Sequence, residues 1–508
     1  METNIFWCVR NYRVAPKNDN QPSLTMIKTP DWVKNAVFYQ IFPDRFARGQ
    51  STLKGQWQAS TYEGWDATPT FQGYKGGNLW GVIEKLDYIK DLGANAIYFT
   101  PIFQSASNHR YHTHDYYQID PMLGGNVAFD ALIEAAHEKD LKVVLDGVFN
   151  HASRGFFFFN DILENGPNSP WLDWFKIHDW PLSAYDGSKP ANYDGWIGDR
   201  ALPEFNHDNP QVKEYIMQVA EYWLHQGIDG WRLDVPNEVE TPGFWQEFRD
   251  RVKAINPEAY IVGEIWGDAS PWLDGTQFDG VMNYRFTEAT IAFAGGEKYI
   301  PEFCQGELQP YPPISGTEYA IRIESLLKQY DWEIQQAQLN LLDSHDTPRM
   351  ITTVGEDKSR FMLATVLLMT FPGAPSIFYG DEVGLPGGKD PDCRRVFPEP
   401  KNWDVEILKD YKQLIALRHQ YPALRTGKYK TVYASEHLFA FARISEDSLA
   451  IVAVNTADEK AEAVSTIAGL EFEPQTTVYG SGRLNWHKTT EGKKLELVVP
   501  AQSGMIVV

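Results

Sequence analysis

A chain of 508 residues exceeds what one ordinary hydrophobic core organises and requires two or three structural units, one of them large. Its 46 basic against 68 acidic residues, net charge −22, disfavour nucleic acid or an anionic membrane as partner, while 43% hydrophobic and 22% charged residues exclude disorder. Cys8, Cys304 and Cys393 are too few and too widely spaced for a disulfide framework or a zinc site, and no leader-like segment or 18-residue apolar run occurs, so a soluble, cytoplasmic protein is expected.

In chain order, short runs rich in Val, Ile, Phe and Tyr read as strands: "AVFYQIF" from Ala36, "AIYFTPIF" from Ala96, "KVVLDGVFN" from Lys142, "GWRLDV" from Gly230, "YIVGEIW" from Tyr260, "FDGVMNY" from Phe278, "LNLLDSHD" from Leu339 and "SIFYGDEV" from Ser376. Helical periodicity fills stretches between them, such as "LWGVIEKLDYIKDLG", "QVKEYIMQVAEYWLHQG" and "FWQEFRDRVKAIN". Strand followed by helix eight times predicts an α/β fold, a (β/α)8 barrel. No Gly-rich dinucleotide fingerprint follows the first strand, which argues against an open doubly wound sheet.

Between Asn150 and Asn209 there is no clear helical period, only Trp, Phe, Pro, Asn and Gly; a structureless loop of that length is improbable, so a small inserted subdomain is expected after the third strand. Beyond Leu424 the pattern changes to short strands, from "TVYASEHLFAFARI" to "SGMIVV", predicting a β-sandwich at the carboxyl end. The expected division is an extension over 1–29, the barrel over 30–151 and 208–424, the insertion over 152–207 and the sandwich over 425–508.

Active sites of such barrels lie at the carboxyl ends of the strands. The third strand brings Asp146, Asn150 and His151 there, the fourth Arg232 and Asp234, the fifth Glu264 with Trp266, and the seventh Asp343, His345, Asp346 and Arg349. A lone Asp at a strand end is commonly a helix cap, but Glu264 between Gly263 and Ile265 answers no need for a cap or turn. Carboxylates on strands four, five and seven meeting at one rim suit glycoside hydrolysis, which needs one ionised and one protonated acid beside the scissile bond. Arg232, two residues from Asp234 on the same strand face, is expected to hold that aspartate ionised as nucleophile; Glu264, in apolar surroundings, is expected to stay protonated as acid. Asp346 with His151 and His345 could grip sugar hydroxyls.

"DGVFNH", "GWRLDVPNEV", "GEIW" and "LLDSHD" resemble, in order and spacing, the four conserved regions of the α-amylase family of glycoside hydrolases. "WVKNAVFYQIFPDRF", "SNHRYHTHDYYQIDP" and "GGKDPDCRR" resemble its neopullulanase and cyclomaltodextrinase branch. The resemblance spans residues 30 to 424 and implies a barrel, an insertion after its third strand and a terminal β-sandwich. It implies Asp234 as nucleophile, Glu264 as general acid/base and Asp346 as the third carboxylate. His109, Tyr111, His151, Arg232, His345 and Arg349 would bind the sugar with Trp266, Tyr111 as stacking platform, and Asn237 and Glu238 would face the leaving group.

The implied reaction is retaining hydrolysis of α-1,4 bonds in starch and maltooligosaccharides, with α-1,6 debranching, cyclodextrin hydrolysis and transglycosylation as alternatives. A non-catalytic glucan-binding protein and a metal phosphohydrolase built on His345–Asp346 are the other classes; the intact set of carboxylates and the strand-end position of the His–Asp pair argue against them. Three departures from the branch stand out. Only about 30 residues precede the barrel where relatives carry an amino-terminal β-domain, so a monomer is expected over the dimer that domain supports. The loop "ARGQSTLKGQWQAS" and Asn78 lack the carboxylates of calcium-binding relatives, so that calcium site is not expected and no cofactor is required, calcium staying the open alternative. "LPEFN" from Leu202 matches neither the "MPKLN" nor the "QPDLN" form, leaving linkage preference open.

Overall fold

The computed structural model describes residues 26–50, 61–303, 312–467, 473–489 and 492–508. Most of the expected 1–29 extension, with Cys8, and also Cys304, lie outside the described residues. Eight parallel strands, β1 (Phe38–Ile41), β2 (Ala96–Phe99), β3 (Lys142–Gly147), β4 (Gly230–Leu233), β5 (Tyr260–Gly263), β6 (Gly280–Val281), β7 (Leu339–Asn340) and β8 (Ala374–Phe378), pair in the order 6-5-4-3-2-1-8-7. A parallel bridge from Met282 to Leu339 joins the two ends, so the sheet curls into a nearly closed barrel.

The period of two along each strand sorts the side chains into two cores. Tyr39, Ile97, Leu145, Trp231 and Ile261 face outward into a core shared with the helices. Phe38, Tyr98, Val144, Tyr260, Val262 and Leu339 fill the barrel interior. The inward parity continues upward through Gln40, Asp146, Arg232 and Glu264, so the residues that follow the apolar layer at the carboxyl ends are polar. Register sets Asp146 directly beside Arg232, and Arg232 beside Val262.

The outer helices begin and end where the sequence supplies caps. Helix α1 (Leu79–Leu92) starts at Asn78, whose Oδ1 accepts from Gly81 N at 2.9 Å, and stops at Gly93 in the left-handed region, φ 101°. Helices α2 (Gly125–Glu138), α3 (Pro210–His225), α4 (Phe244–Ile255), α5 (Tyr284–Thr290), α6 (Gly316–Gln329), α7 (Lys358–Thr370) and α8 (Val405–Gln420) follow, α3 with Pro at its first position. The expected strict alternation fails once. Between β5 and β6 the described chain holds no helix, because "GDASPWLDGTQFD" is broken by Gly, Pro and Asp, although it still buries Ala269, Leu273 and Phe278 in the core.

The insertion also differs from its sequence reading: Phe157–Asn165 is an α-helix, its Phe159 and Ile162 buried. A run of four aromatics hid that period. Bridges Phe175–Phe205, Ile177–Tyr193 and Gly195–Pro203 knit the rest, and His151–Glu204 ties it to the barrel mouth.

The carboxyl-terminal region is a five-stranded and a three-stranded antiparallel sheet around a second core that includes Leu438, Ile451, Leu495, Leu497 and Met505. The larger sheet lies against α7 so closely that a Cβ at Gly504 would meet Val366 Cγ2 at 3.1 Å. Two buried arginines fasten this junction. Arg418 donates to the carbonyls of Met369 and Leu424 at 3.0 and 2.9 Å, and Arg443 donates to Thr370, to Leu424 at 3.0 Å and to Gly427 at 2.9 Å. They satisfy the carbonyls left over at the end of α7, where a cation also suits the helix dipole. Arg443→Ala is expected to leave several buried carbonyls unpaired, a loss of about 3 kcal/mol that lowers the urea midpoint; an unchanged midpoint would show that the guanidinium is dispensable there.

Candidate active site

Arg232, wholly buried inside the barrel, is the hub of the mouth. Its Nη1 lies 2.9 Å from both Asp146 oxygens and 3.0 Å from Asp234 Oδ1, and its Nη2 lies 2.8 Å from Glu264 Oε2. Three strands thus present one carboxylate each to a single cation.

Backbone geometry aims two of them. Asp234 N donates to Gly147 O and Glu264 N to Leu233 O, prolonging the ladder one residue past each strand. Val235 then turns left-handed, φ 36°, a strained conformation for a β-branched residue, and its N–H donates to Glu264 Oε2 at 3.3 Å. Gly263 is required just before Glu264, because a Cβ there would stand 2.9 Å from the Phe278 ring and 3.2 Å from Pro236 Cγ.

Glu264 Oε1 accepts from Trp266 Nε1 at 3.1 Å, and the half-buried indole is stacked on Tyr284, 3.7 Å between centroids and 6° between planes. On the opposite side, Tyr111 hydroxyl is 3.0 Å from Asp146 Oδ2 and 2.5 Å from His345 Nε2, and its ring stacks on that imidazole. Gln40 Nε2 reaches His345 Nδ1 at 2.9 Å. Asp346, 30% exposed where Asp234 and Glu264 side chains are under a tenth exposed, is the carboxylate nearest solvent; it meets His345 Nε2 at 3.1 Å and Arg394 Nη2 at 3.3 Å.

Electrostatically, one guanidinium cannot hold three buried carboxylates ionised. Burial pushes Asp146 up to about 6 against the pull of Arg232. It pushes Asp234 well above the usual carboxylate range, and raises Glu264 and Asp346 as well. Arg232, expected from the sequence to keep Asp234 ionised, divides its charge among Asp146, Asp234 and Glu264, while burial pulls each of them upward. Burial also lowers His151 to about 3 and depresses His109 and His345, so all three imidazoles are neutral and can both donate and accept. A pocket of neutral imidazoles and shared protons suits an uncharged polyol.

Of the other expected site residues, His109 lies beside Tyr111, ring centroids 5.7 Å apart. His151 stacks on Trp196 at 5.4 Å, and its buried Nε2 has no hydrogen-bond partner among the described residues. Asn237 donates to exposed Glu238 at 3.0 Å on the short turn Pro236–Glu238. Arg349 does not join them. Its guanidinium is buried behind the seventh strand, bonded to Asp381 at 2.8 Å and to the Cys393 carbonyl at 3.0 Å, with Phe378 and Tyr379 against its plane, so a ligand has no access to it.

Asp146 and Arg394 carry more of the geometry than the sequence reading gave them. Arg394 also binds the His345 carbonyl at 2.8 Å and Asp390 at 3.0 Å; the consecutive arginines of "DPDCRR" were the available signal. Of the loop expected to lack calcium ligands, residues 51–60 lie outside the described set. Beside it, Asn78 Oδ1 is occupied by Gly81 N and Gly49 N, and the Lys75 carbonyl accepts from Arg48 at 2.8 and 2.6 Å. A cationic side chain and amide donors on these oxygens do not fit a hard metal ion. Among the described residues no three His, Cys, Asp or Glu side chains cluster as a metal site, and no helix is long and apolar enough to cross a membrane.

The sequence profile for the α-amylase catalytic domain matches residues 40–402. The chain is similar to the debranching enzyme of Nostoc punctiforme, whose crystal structure it matches with a TM-score of 0.90 and 62% identity, covering 95% of this chain and 100% of that one. It is 42% identical over 463 residues to a cyclomaltodextrinase of Geobacillus thermopakistaniensis, covering 89% of this chain and 75% of that one. It also matches the cyclic α-maltosyl-(1→6)-maltose hydrolase of Arthrobacter globiformis, with a TM-score of 0.82 and 33% identity over 95% of this chain and 100% of that one.

The shared-proton arrangement has a consequence for stability. Asp146 titrates near its ordinary 3.8 when unfolded and at about 6 when folded. Below pH 3.8 it is protonated in both states; as pH rises through this window the unfolded chain ionises first, so stability falls, by on the order of 3 kcal/mol, and levels off above about 6. Asp146→Asn is expected to flatten the slope of the urea midpoint between pH 4 and 6. An unaltered slope would mean that Asp146 holds no such proton.

Proposed function

This chain belongs to the α-amylase family of glycoside hydrolases, and from that footing we propose that it cleaves α-glucosidic bonds of starch-derived glucans with retention, Asp234 acting as nucleophile and Glu264 as acid and then base. The observation that carries the reading is that both carboxyls are held by the two terminal nitrogens of one buried guanidinium, which keeps them close together on one side of the mouth. Short separation is what a covalent glycosyl intermediate requires.

The reading requires the proton held by burial to rest on Glu264 in the productive state, steadied by Trp266. Asp234 then attacks the anomeric carbon while Glu264 protonates the departing oxygen. In the second half Glu264, now ionised, takes a proton from water as that water displaces Asp234. Asp346, His345 and His151 would hold hydroxyls of the reacting sugar, with Tyr111 beneath its ring. Water exclusion by the aromatic walls strengthens each of these contacts.

For linkage, the leading reading is cleavage of α-1,4 bonds of maltooligosaccharides, as in the α-amylase family that the four strand-end motifs resemble, although "LPEFN" selects no linkage. A second reading, cleavage at α-1,6 branch points, is favoured by 62% identity to a debranching enzyme over nearly the whole chain. No metal is part of either reading, given the donor chemistry around Arg48 and Asn78.

Glu264→Gln is expected to lower kcat roughly 10²–10⁴-fold with maltoheptaose affinity retained by calorimetry; near wild-type turnover would remove Glu264 from the chemistry. Proton NMR of the first product should show the α-anomer, the β-anomer contradicting retention. Chromatography of products from maltoheptaose, β-cyclodextrin, pullulan and amylopectin separates the linkages: maltose and glucose from maltoheptaose mark α-1,4 cleavage, and linear chains from amylopectin mark debranching. Turnover should survive exhaustive chelation.

A further inference from the structure

Tyr185 is a large aromatic residue left 71% exposed by the fold, and the insertion goes to some length to hold it there. The Arg154 guanidinium carbon stands over one face of its ring, 4.4 Å from the centroid. Arg154 also donates to the Ala184 carbonyl, the residue just before Tyr185. From the other side Arg200 donates to the carbonyls of Ser183 at 3.0 Å, Asp186 at 2.5 Å and Lys189 at 2.6 Å. Asn192 Oδ1 accepts from Ser183 N at 2.8 Å. Two arginines and an asparagine therefore fix the loop around a residue that stays 71% exposed.

Nothing in packing explains that investment. An exposed tyrosine normally gains from lying down on the surface, and a loop tip normally needs no such anchoring. A largely exposed ring backed by a cation and held by its loop is prepared to receive a flat partner with little further loss of entropy.

Its position fits the mouth. Arg154 follows His151 by three residues, a span of at most about 10 Å even when extended. Rings also run along the rim from Tyr111 to His109 and from His109 to His112, with centroids 5.7 and 5.3 Å apart. Burial lowers the His112 imidazole, Asp199 opposing it and the Arg154 charge adding to it.

The geometry points to Tyr185 as a glucan-binding platform distal to the reacting sugar, on which a pyranose ring of a longer chain stacks through its C–H face. The inference rests on the α-glucan reading of the site and extends it: the enzyme would favour chains long enough to reach the platform.

The test compares maltotriose with maltoheptaose in full-length wild type, Tyr185→Ala and Tyr185→Trp. Tyr185→Ala is expected to lower the ratio of kcat/KM for maltoheptaose over maltotriose about three- to tenfold, mainly through KM, and Tyr185→Trp to restore it. A ratio unchanged in Tyr185→Ala, whether both substrates suffer equally or neither does, would overturn the platform, since mere loosening of the loop affects both alike. Calorimetric titration of maltoheptaose into Glu264→Gln, with and without Tyr185→Ala, reads the same contact without turnover: weaker binding in the double variant supports it and equal binding refutes it. Wild-type activity on the two substrates tests the α-glucan reading separately.

Discussion

The architecture of the mouth follows from placing one fully buried guanidinium among three carboxyls. Arg232 on β4 cannot be left unpaired in the barrel interior, and Asp146 on β3 meets it laterally through the parallel register. That pair alone would balance the charge. Adding Asp234 and Glu264 exceeds what one cation can neutralise, so protons are retained in the cluster at pH values where isolated carboxyls would have lost them. The general acid of the proposed glycoside hydrolysis needs that condition, and burial of the cluster supplies it.

Around this core the protein removes other charge and mobility. Three histidines near the mouth are kept neutral by burial, to which neighbouring arginines add at His109 and His345. Aromatic pairs, Trp266 on Tyr284 and Tyr111 on His345, set the ring planes. The strained Val235 pays, in local backbone energy, for an amide aimed at Glu264. The insertion repeats the pattern at larger scale, using Arg154 and Arg200 to fix a loop that presents Tyr185.

Much of this was legible in the sequence because it is written in short range. Strand parity places Arg232 and Asp234 on one face, and the break in the apolar run at Glu264 marks a polar group that no turn requires. The change of period after Leu424 locates the carboxyl-terminal sheets. The motif order sufficed for the family, and the family for the barrel.

The rest depends on contacts between residues far apart in the chain. The assignment of Arg349 to the mouth fails because Asp381 and the Cys393 carbonyl, more than thirty positions onward, draw its guanidinium behind the barrel. The ionisation of Asp234 could not be judged from Arg232 alone, since it is set by Asp146, Glu264 and Asp346 together. The missing helix between β5 and β6 was readable in its Gly, Pro and Asp, whereas the helix at Phe157–Asn165 was masked by a uniform aromatic run. The sequence by itself determined which chemistry could occur and on which strands. Only the tertiary structure decided how one positive charge is divided among several acids, because desolvation and Coulomb terms depend on distances that no local pattern encodes.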